Sequence, residues 1–497
     1  MKVLFVTSEV TKLYKRGGLA DVSYSLPAAL ARLGIQVSIA MPFYERMSTK
    51  HVTCIGQLAL DYDRRRELVF IFRTTLPGTK VPVYLFRHPI LNQYDGEKIV
   101  ERFAFFSKAV TQLYLYSQDT MGGPYDIVHC QDWHTALIPL LVGEHLKVGY
   151  RRHEETIQSK QAKTILTIHN LLYTGESGVS IALKLGIPQS MLHIFQTPLG
   201  PAIRLMEEGM EYVDRVTTVS PTYAKEIMAG KHGKSTVDVF SRRGDRIEGI
   251  LNGIDSDAWD PRTDKELPRT YSATTVIAAK AEIKTSLQHS LHLPVLDVPL
   301  FGFVGRFEGR QKGLDLVAKA IATIPDGTFQ LALLGTGQKS LIQEFIELAS
   351  IHHNISFTHT FDERLAKRIY AGADIMLIPS KFEPCGLTQM IAMRYGTIPL
   401  VRKTGGLADS VRDGVTGFVF TSYTASALIA AMERAMAVWH DRTVWPSMVK
   451  TAMRQDFSWK RSAGEYLALY KGLLNTGSLH TDKEEEKEKE NGKLSNA

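Results

Sequence analysis

Short runs of β-branched and apolar residues alternate along this chain with longer amphipathic stretches, and the alternation forms two series. The runs of the first series are 3–7, 37–41, 81–86, 127–129, 165–168, 216–219 and 247–251. Those of the second are 300–304, 329–334, 355–357, 375–378, 398–401 and 418–420, with helical patterns at 313–322 and 387–395. Strands that alternate with helices are typical of parallel, doubly wound sheets. We therefore predict an α/β fold with two such sheets.

The length of the chain also favours two domains. A chain of 497 residues exceeds the size at which one hydrophobic core stops growing. Strand signals lapse between residues 252 and 296, where Pro261, Pro268 and Pro294 interrupt the pattern. We predict a first domain over 1–255 and a second over 256–456. Residues 477–497 are rich in charge and poor in apolar side chains, which predicts a disordered tail.

Composition excludes several classes of protein. No apolar stretch is long enough to span a membrane, and the N-terminus lacks the pattern of an export signal. The 3 cysteines show no Cys-x-x-Cys spacing, so a reducing, cytoplasmic location is expected. The net charge of +7 comes from scattered basic residues, which argues against nucleic-acid binding and suits an anionic small-molecule substrate.

Unusual polar residues and glycines follow the predicted strands. They are Lys15, Gly18, Asp132, His169 and Asn252 in the first series, and Arg306, Glu383, Cys385 and Gly386 in the second. In open parallel sheets, ligands bind in the crevice outside the carboxyl ends of the strands. We therefore expect two Rossmann-like domains that face a common cleft.

One motif occurs twice. Residues 15–21 read KRGGLAD and residues 403–409 read KTGGLAD, so six of the seven positions are identical. A Gly-Gly pair lets the backbone approach a ligand closely, and the lysine supplies a cation for an anionic group. The repeat suggests two halves that face one ligand.

Two further patterns suit phosphate groups. Arg306 and Lys312 lie six residues apart on a loop between a strand and a helix, which would suit a diphosphate. Residues 386–388 precede a helical pattern, so their N–H groups would form a phosphate site at the helix start. The alternatives are solvated loop charges for the first pattern and an ordinary helix cap for the second.

Metal and dinucleotide sites are not supported. His129, Cys130, Asp132 and His134 are potential metal ligands, but alternate residues at a strand end face opposite ways. Asp132 with its neighbour Trp133 suits a sugar better, and His169 could be either a buried structural histidine or a contact. Residues 335–337 read GTG but lack the third glycine of a dinucleotide fingerprint. Hydrolase, zincin and P-loop motifs are absent from the sequence.

Taken together, these motifs resemble those of bacterial glycogen and starch synthases, which are retaining glucosyltransferases of the glycosyltransferase-B type. The resemblance rests on the segments 15–21, 131–134, 167–171, 218–223, 251–255, 311–315, 380–389, 403–409 and 457–459. It spans nearly the whole chain except the tail and parts of 45–120 and 175–200.

The resemblance implies transfer of glucose from a nucleotide-diphosphate sugar, expected to be ADP-glucose, to the non-reducing end of an α-1,4-glucan. Retention of configuration and independence of metal and cofactor are implied as well. A C-terminal helix over 457–475 would pack back on the first domain. The residues expected at the diphosphate are Arg306 and Lys312, assisted by Lys15 and by the helix start of Gly386, Leu387 and Thr388. Gly18 and Asp21 are expected to bind substrate. Those expected around the glucose are Glu383, Cys385, His169, Asp132 and Asn252, and Phe361 is expected to stack on the base.

Alternatives and departures remain at this stage. The same fold could use UDP-glucose, bind glucan without turnover, transfer another hexose, or belong to a nicotinamide dehydrogenase. Many bacterial members space the two cations by five residues rather than six, and residues 91–95 match the acceptor region poorly. Ile391 stands where related transferases carry a second glutamate, so a pair of carboxylates of the kind that hydrolysis requires is not evident.

Overall fold

The computed structural model describes residues 1–48, 50–116, 118–143 and 162–475. The chain divides into two compact units. The first unit comprises Met1–Val219, Ala224–Ile250 and the chain from Trp459, and the second comprises Ser220–Tyr223 and Leu251–Ser458. The predicted tail over 477–497 lies outside the described residues.

The division falls after Ile250 rather than after residue 255. Backbone pairing explains the difference. The N–H of Ile254 donates to the carbonyl oxygen of Phe457 at 2.8 Å, so residues just after Ile250 pair with the end of the second unit. The domain boundary predicted from the sequence rests on the region where strand patterns lapse. That pattern carries no information about the pairing of Ile254 with Phe457.

In the described part of the chain, nine strands of the first unit form one sheet in the order β12-β11-β7-β6-β1-β2-β5-β4-β3. The strands β3 and β4 pair antiparallel, as do β4 and β5, and every other neighbouring pair is parallel. The bounds are β1 Lys2–Val6, β2 Gln36–Pro42, β3 Thr53–Tyr62, β4 Arg65–Thr75, β5 Pro82–Arg87, β6 Ile127–Gln131, β7 Lys163–Ile168, β11 Arg215–Thr218 and β12 Glu248–Gly249.

Two parts of the first unit were not predicted from the sequence. One is the β3–β4 hairpin at the sheet edge, whose side chains are largely exposed and carry many charges. The other is a small antiparallel sheet of β8 Glu176–Gly178, β9 Phe195–Thr197 and β10 Gly200–Arg204. Edge strands and short strands bury little apolar surface, so the hydrophobic pattern on which the prediction relied is weak there.

The second unit contains a fully parallel sheet of six strands among the described residues, in the order β15-β14-β13-β16-β17-β18. The bounds are β13 Leu300–Val304, β14 Gln330–Leu334, β15 Ile355–Thr358, β16 Ile375–Ile378, β17 Ile398–Arg402 and β18 Phe418–Phe420. These strands cover the six runs predicted for the second series. The nearly complete burial of β13, β14, β16 and β17 explains why continuous apolar runs marked them clearly.

Helices connect the strands of both sheets. They include Gly18–Arg32, Ile99–Tyr116, Ser180–Leu185, Leu205–Tyr212, Pro221–Met228, Lys234–Arg243, Val276–Ser290, Leu314–Ile321, Lys339–Ile351, Glu363–Gly372, Thr388–Arg394, Gly405–Ser410, Ala425–His440, Val444–Met453 and Trp459–Asn475. In the described residues, no helix combines the length and apolar character needed to cross a membrane.

The helix Trp459–Asn475 belongs to the first unit, although it follows the second unit in sequence. Its residues Tyr466 and Tyr470 are buried in the same core cluster as Val3 and Phe5 of β1. The Tyr470 hydroxyl lies 2.8 Å from Nδ1 of His129, and Nε2 of His129 lies 2.6 Å from Oγ1 of Thr167. His129 is therefore a buried structural histidine, and burial lowers its pKa to about 3.

The strand orders identify the switch point of each sheet, where the order of the strands along the chain changes direction. In the first sheet β1 lies between β2 and β6, and in the second β13 lies between β14 and β16. Ligands of doubly wound sheets bind at the carboxyl ends of strands at such switch points. The loops after β1 and β6 carry Lys15 and Asp132, and those after β13 and β16 carry Arg306 and Glu383. Each unit thus places its predicted polar residues at its own switch point.

Candidate active site

Glu383 lies at the centre of a buried polar group in the second unit. Its side chain is almost fully buried. Oε2 accepts hydrogen bonds from Nζ of Lys312 at 2.8 Å and from Oγ of Ser380 at 2.9 Å. Nε2 of Gln311 donates to Oε1 at 3.4 Å. One cation and two neutral donors thus fix the position of the Glu383 side chain.

Backbone contacts hold together the two loops that form this group. The N–H of Lys381 donates to the carbonyl oxygen of Gln311 at 2.7 Å. Gly313 has φ +70°, and a Cβ there would overlap the carbonyl oxygen of Pro379. Glycine is therefore required at position 313 both by conformation and by space. The close approach brings Lys312 to Glu383, which lies 71 positions further along the chain.

The second glycine pair packs against the loop that carries Glu383. A Cβ at Gly405 would overlap the carbonyl oxygen of Glu383, and one at Gly406 would lie 2.5 Å from Cα of Cys385. The N–H of Gly406 donates to the carbonyl oxygens of Glu383 and Pro384, both at 3.1 Å. The Cβ positions of both glycines are thus occupied by the backbone of residues 383–385, so packing alone requires glycine here, and a close approach to a ligand stays a prediction.

Gln389 and Asn252 complete the support of this loop. Nε2 of Gln389 donates to the carbonyl oxygens of Cys385 and Gly386 at 3.1 Å and 2.8 Å. The N–H of Asn252 donates to Sγ of Cys385, and Oδ1 of Asn252 is buried without a partner among the described residues. Burial raises the pKa of the Cys385 thiol to about 12, so Cys385 is a neutral side chain at pH 7.

Three predicted binding residues of the second unit are accessible to solvent. Arg306 is exposed and forms no hydrogen bond or ion pair with any residue that the structure describes. Phe361 is 83% exposed and borders a cavity of about 510 Å³ that Arg364 and Lys367 also line. Thr388 is half-buried at the first position of its helix, next to Gly386 and Leu387, which are also half-buried. Arg306 and Phe361 are free to meet a ligand, whereas the Thr388 side chain hydrogen-bonds Tyr370 and Lys312 pairs with Glu383.

In the first unit, the loop after β1 is organised by a buried acid. Oε2 of Glu9 accepts hydrogen bonds from the backbone N–H groups of Arg16 and Gly17, the latter at 3.0 Å. Burial raises the pKa of the Glu9 carboxyl, and these two N–H groups lower it. Nζ of Lys15 lies 2.7 Å and 2.8 Å from the oxygens of Asp21. Gly18 is exposed, and a Cβ there would have no atom within 4 Å.

Asp132 and His169 are brought together at the ends of β6 and β7. Oδ1 of Asp132 accepts a hydrogen bond from the His169 N–H at 3.2 Å, and the Asn170 and Trp133 N–H groups also donate to the carboxylate. Burial raises the pKa of Asp132 to about 7, against these three donors. Asp132 has φ 59° and ψ −177°, a region that is almost restricted to glycine and costs about 1–3 kcal/mol for other residues. Strain of this kind is concentrated at functional sites.

The imidazole of His169 has a defined protonation state. Its Nε2 lies 2.8 Å from Oε1 of Gln131, so Nε2 carries the proton and Nδ1 presents a lone pair. Burial lowers the pKa of His169 to about 3, which keeps the ring neutral at pH 7. Trp133 does not offer a face to a sugar, because its ring is buried against His134 and Phe103.

Sequence reasoning missed several residues of these loops. Glu9 and Gln389 accept from or donate to the backbone of a predicted site loop, and Gln131 contacts the imidazole of His169. Glu9 follows β1 in the same way as Lys15, so the rule that located Lys15 could also have found it. Gln131 and Gln389 lay inside quoted motifs, but their side-chain contacts depend on tertiary structure. Among the described residues, no group of three or more His, Cys, Asp or Glu side chains is arranged to hold a metal ion.

Comparison with known proteins identifies the family. A model of the starch synthase catalytic domain matches residues 2–242, and one of glycosyl transferases group 1 matches residues 288–446. The chain is 38% identical to a glycogen synthase of Kosmotoga olearia over 489 residues, covering 96% of this chain and 99% of that protein. It is also 38% identical to glycogen synthase 2 of Geobacter sulfurreducens, covering 96% and 99%. The chain belongs to the glycogen synthase family.

Solved structures of related proteins agree with this membership. The catalytic domain of starch synthase IV from Arabidopsis thaliana, bound to ADP and acarbose, matches with a TM-score of 0.82 and 33% identity, covering 95% of this chain and 99% of that one. A sucrose-phosphate synthase from Thermosynechococcus elongatus matches with a TM-score of 0.60 and 18% identity, covering 95% and 99%, and shares the fold. The predicted glycosyltransferase-B fold with two Rossmann-like domains is confirmed.

Family membership also settles the general activity. The protein is a glucosyltransferase of glycogen or starch synthesis. The family uses a nucleotide-sugar donor and a glucan acceptor. The hypotheses of a non-catalytic glucan-binding protein and of a nicotinamide dehydrogenase lose their support. The relatives that match almost the whole chain are named as synthases.

Proposed function

We propose that this enzyme transfers glucose from ADP-glucose to the non-reducing end of an α-1,4-glucan, with retention of the anomeric configuration. The observation that supports ADP-glucose most directly is the ADP bound to the Arabidopsis starch synthase IV domain, which resembles this chain over nearly its full length. Reaction at the glucan end follows from the family, in which the acceptor is a glucan.

We assign the departing diphosphate to the cations of the loop after β13. Arg306 has no described partner, so its charge and five N–H donors are available to a phosphate group. Lys312 is held 2.8 Å from Glu383, and we assign its ammonium group to the same diphosphate. Fixed cations stabilise the negative charge that develops on the leaving group, and the loss of one such donor costs about 10²–10³ in rate. The half-buried backbone of Gly386, Leu387 and Thr388 would add N–H donors.

Glu383 is assigned to the glucose and not to acid–base hydrolysis. Among the described residues, the side chains that hydrogen-bond its carboxylate are Lys312, Ser380 and Gln311, and none of them is a carboxylate. Glycosidases need a second carboxyl group at a defined distance. Ile391, at the position where related transferases carry a glutamate, is buried. Catalysis therefore depends on positioning and on leaving-group stabilisation.

The other assignments follow from the state of each side chain. His169 is neutral and can accept a hydrogen bond from a sugar hydroxyl through Nδ1. Asp132 would act by fixing His169, and Asn252 and Cys385 would contact the glucose beside Glu383. Lys15, Gly18 and Asp21 would bind the donor through the exposed loop after β1.

The base is assigned to Phe361, whose ring is 83% exposed on the loop before the helix Glu363–Gly372. An aromatic face stacks on purines and pyrimidines alike, so this residue by itself does not select the donor. A cytoplasmic location is part of the proposal, since the 3 cysteines are unpaired as in a reducing compartment.

The test is incubation of the purified protein with glycogen and either ADP-[¹⁴C]glucose or UDP-[¹⁴C]glucose, with EDTA and no added metal. Label that precipitates with the polymer from ADP-glucose supports the proposal. Preference for UDP-glucose would overturn the donor assignment and leave the rest standing. The variant Arg306→Ala should lower turnover by at least about tenfold while the melting temperature stays unchanged, because Arg306 is exposed and unpaired. Normal turnover of that variant would remove Arg306 from the mechanism.

A further inference from the structure

A cavity of about 380 Å³ lies in the first unit at the amino ends of neighbouring strands. Its lining includes Lys2 at the start of β1, Gln36 at the start of β2 and Pro82 at the start of β5. These three strands are adjacent in the sheet. Lys15 and Asp132 follow the carboxyl ends of β1 and β6, at the opposite edge of the same sheet. The cavity is therefore separate from the candidate active site.

Three cations line this cavity, and no carboxylate is among its lining residues. Nζ of Lys2 donates to the carbonyl oxygens of Gly122 and Gly123, both at 3.2 Å, which fixes the ammonium group without neutralising it. Arg73 and Lys80 are exposed and form no hydrogen bond or ion pair with any residue that the structure describes. Three positive charges around one space repel one another, and an anion between them would relieve that repulsion.

A buried hydroxyl group also faces this space. Tyr84 is 3% exposed and lines the cavity. Its hydroxyl makes no hydrogen bond with the described part of the chain, whereas the hydroxyl of the neighbouring Tyr125 donates to the carbonyl oxygen of Met121. Burial raises the pKa of Tyr84 and the charge of Arg73 lowers it, so this cation and this hydroxyl lie near each other. The Tyr84 hydroxyl is thus a neutral group that can donate a hydrogen bond to a phosphate oxygen.

The remaining wall of the cavity is apolar. It is formed by Ala31, Ile35, Val37, Val81 and Pro82. Inorganic phosphate would gain nothing from such a wall, whereas an organic body would bury apolar surface against it. The volume lies near the lower limit of small-molecule sites, about 300–1,000 Å³. A cavity of this volume suits an organic body of hexose size better than one of nucleotide size.

We propose that this cavity binds an organic monophosphate with a body about the size of a hexose. The phosphate group lies among Arg73, Lys80 and the Tyr84 hydroxyl, and the body packs on the apolar wall. This site is additional to the donor and acceptor sites, and the proposal does not depend on the roles assigned to them.

Calorimetric titration of the full chain tests the proposal, with glucose 6-phosphate as the probe and with glucose and inorganic phosphate as its two separate halves. At about 50 mM salt, where charges are weakly screened, we expect saturable binding of glucose 6-phosphate. Each half should bind at least about tenfold more weakly, since it lacks either the charge or the apolar body.

Variants connect the binding to the cavity. Arg73→Ala combined with Lys80→Ala should weaken binding by about tenfold or more. The matched control, Arg65→Ala combined with Lys460→Ala, removes the same charge at exposed positions outside the lining and should change it less than about twofold. Tyr84→Phe, which keeps the ring, should weaken binding by about threefold to tenfold. Glucosyl transfer without the probe should be equal in wild type and in the Arg73/Lys80 variant.

Three results would overturn the proposal. The first is the absence of binding at about 10 mM probe, a concentration at which a site of this charge would be well occupied. The second is binding that the Arg73/Lys80 variant leaves unchanged, which would place the probe at another site such as that of the donor. The third is inorganic phosphate that binds as tightly as glucose 6-phosphate, which would exclude the organic body.

Discussion

The two copies of the Lys-x-Gly-Gly-Leu-Ala-Asp motif are nearly identical in sequence and have different surroundings. In the copy after β1, Gly18 is exposed with no atom near the position of a Cβ. In the copy after β17, Gly405 and Gly406 are buried against the backbone of residues 383–385. Asp21 accepts hydrogen bonds from Lys15, whereas Asp409 accepts them from Ser220 and Thr222. The same residues leave an open loop in one unit and close a loop in the other.

The carboxylates near the two switch points show a similar contrast. Glu383 is buried beside the cation Lys312, and Asp132 is buried with backbone N–H groups as its donors. The N–H groups around Asp132 only partly offset the cost of its burial, so its pKa is raised to about 7. The second unit therefore presents a rigid and charge-balanced loop, and the first presents an acid whose charge depends on pH.

The largest expected difference between the two units concerns their lysines. Lys312→Ala leaves the carboxylate of Glu383 buried without its cation, which should cost about 3 kcal/mol of unfolding free energy and at least tenfold in turnover. Lys15→Ala breaks a pair whose partners are about half and one-third exposed, and should cost less than about 1 kcal/mol. Chemical denaturation measures both. Equal stability losses would contradict the contrast.

The glycine pairs give the next largest difference. Gly406→Ala introduces a methyl group 2.5 Å from Cα of Cys385, and should cost about 1–3 kcal/mol and distort the loop that carries Glu383. Gly18→Ala meets no atom and should leave the melting temperature unchanged. If turnover nevertheless falls in Gly18→Ala, a ligand approaches that position closely. A stable and active Gly406→Ala protein would disprove the packing role.

A pH effect is expected in the first unit. The pKa of Asp132 is about 7 in the folded state, and its ordinary value is 3.8. Between these two pH values the folded state therefore holds a proton that the unfolded state has lost. The contribution of Asp132 to stability is present below about pH 4 and is lost as the pH rises through 7. The difference in melting temperature between wild type and Asp132→Asn should therefore change over this pH range, because only the wild type loses stability as Asp132 ionises. A difference that stays constant from pH 4 to pH 8 would show that Asp132 is ionised throughout.

The smallest expected effect concerns thiol reactivity. Cys54 is exposed, whereas Cys385 is buried and its pKa is raised to about 12. A thiol reagent such as 5,5′-dithiobis(2-nitrobenzoate) should modify Cys54 in the native protein and reach Cys385 only on unfolding. In Gly406→Ala, where the loop is displaced, Cys385 should react faster. Fast reaction of Cys385 in the wild type would mean that the second glycine loop opens readily.

The sequence predicted the central strands well and the edges poorly. Buried strands such as β13 and β16 carry continuous apolar runs, so their positions and the loops after them could be inferred. The hairpin of β3 and β4 carries little of that signal. Of the strand predicted over residues 247–251, only the two-residue strand β12 is present.

For the site, the sequence indicated which residues are unusual but not what they contact. The pairing of Lys312 with Glu383 joins loops that are distant in sequence, and it depends on Gly313 fitting against Pro379. The glycine repeat was correctly noticed, but its meaning differed between copies because packing partners are not encoded within the motif. The functional roles of the site residues stay predictions that the experiments above address.

The position of the helix Trp459–Asn475 has a consequence for the order of events on the ribosome. The core that this helix completes contains Val3 and Phe5, which are synthesised before the second unit, and the helix is synthesised only after the second unit. At ~5–20 residues per second, the interval between Ile250 and Trp459 is about 10–40 s. During that time the first unit lacks Tyr466 and Tyr470. The groove that these two side chains would fill, next to the apolar residues of the same core cluster, is then open to solvent and to other nascent chains. A chaperone that covers this groove would be needed most for polypeptides stalled between these two points.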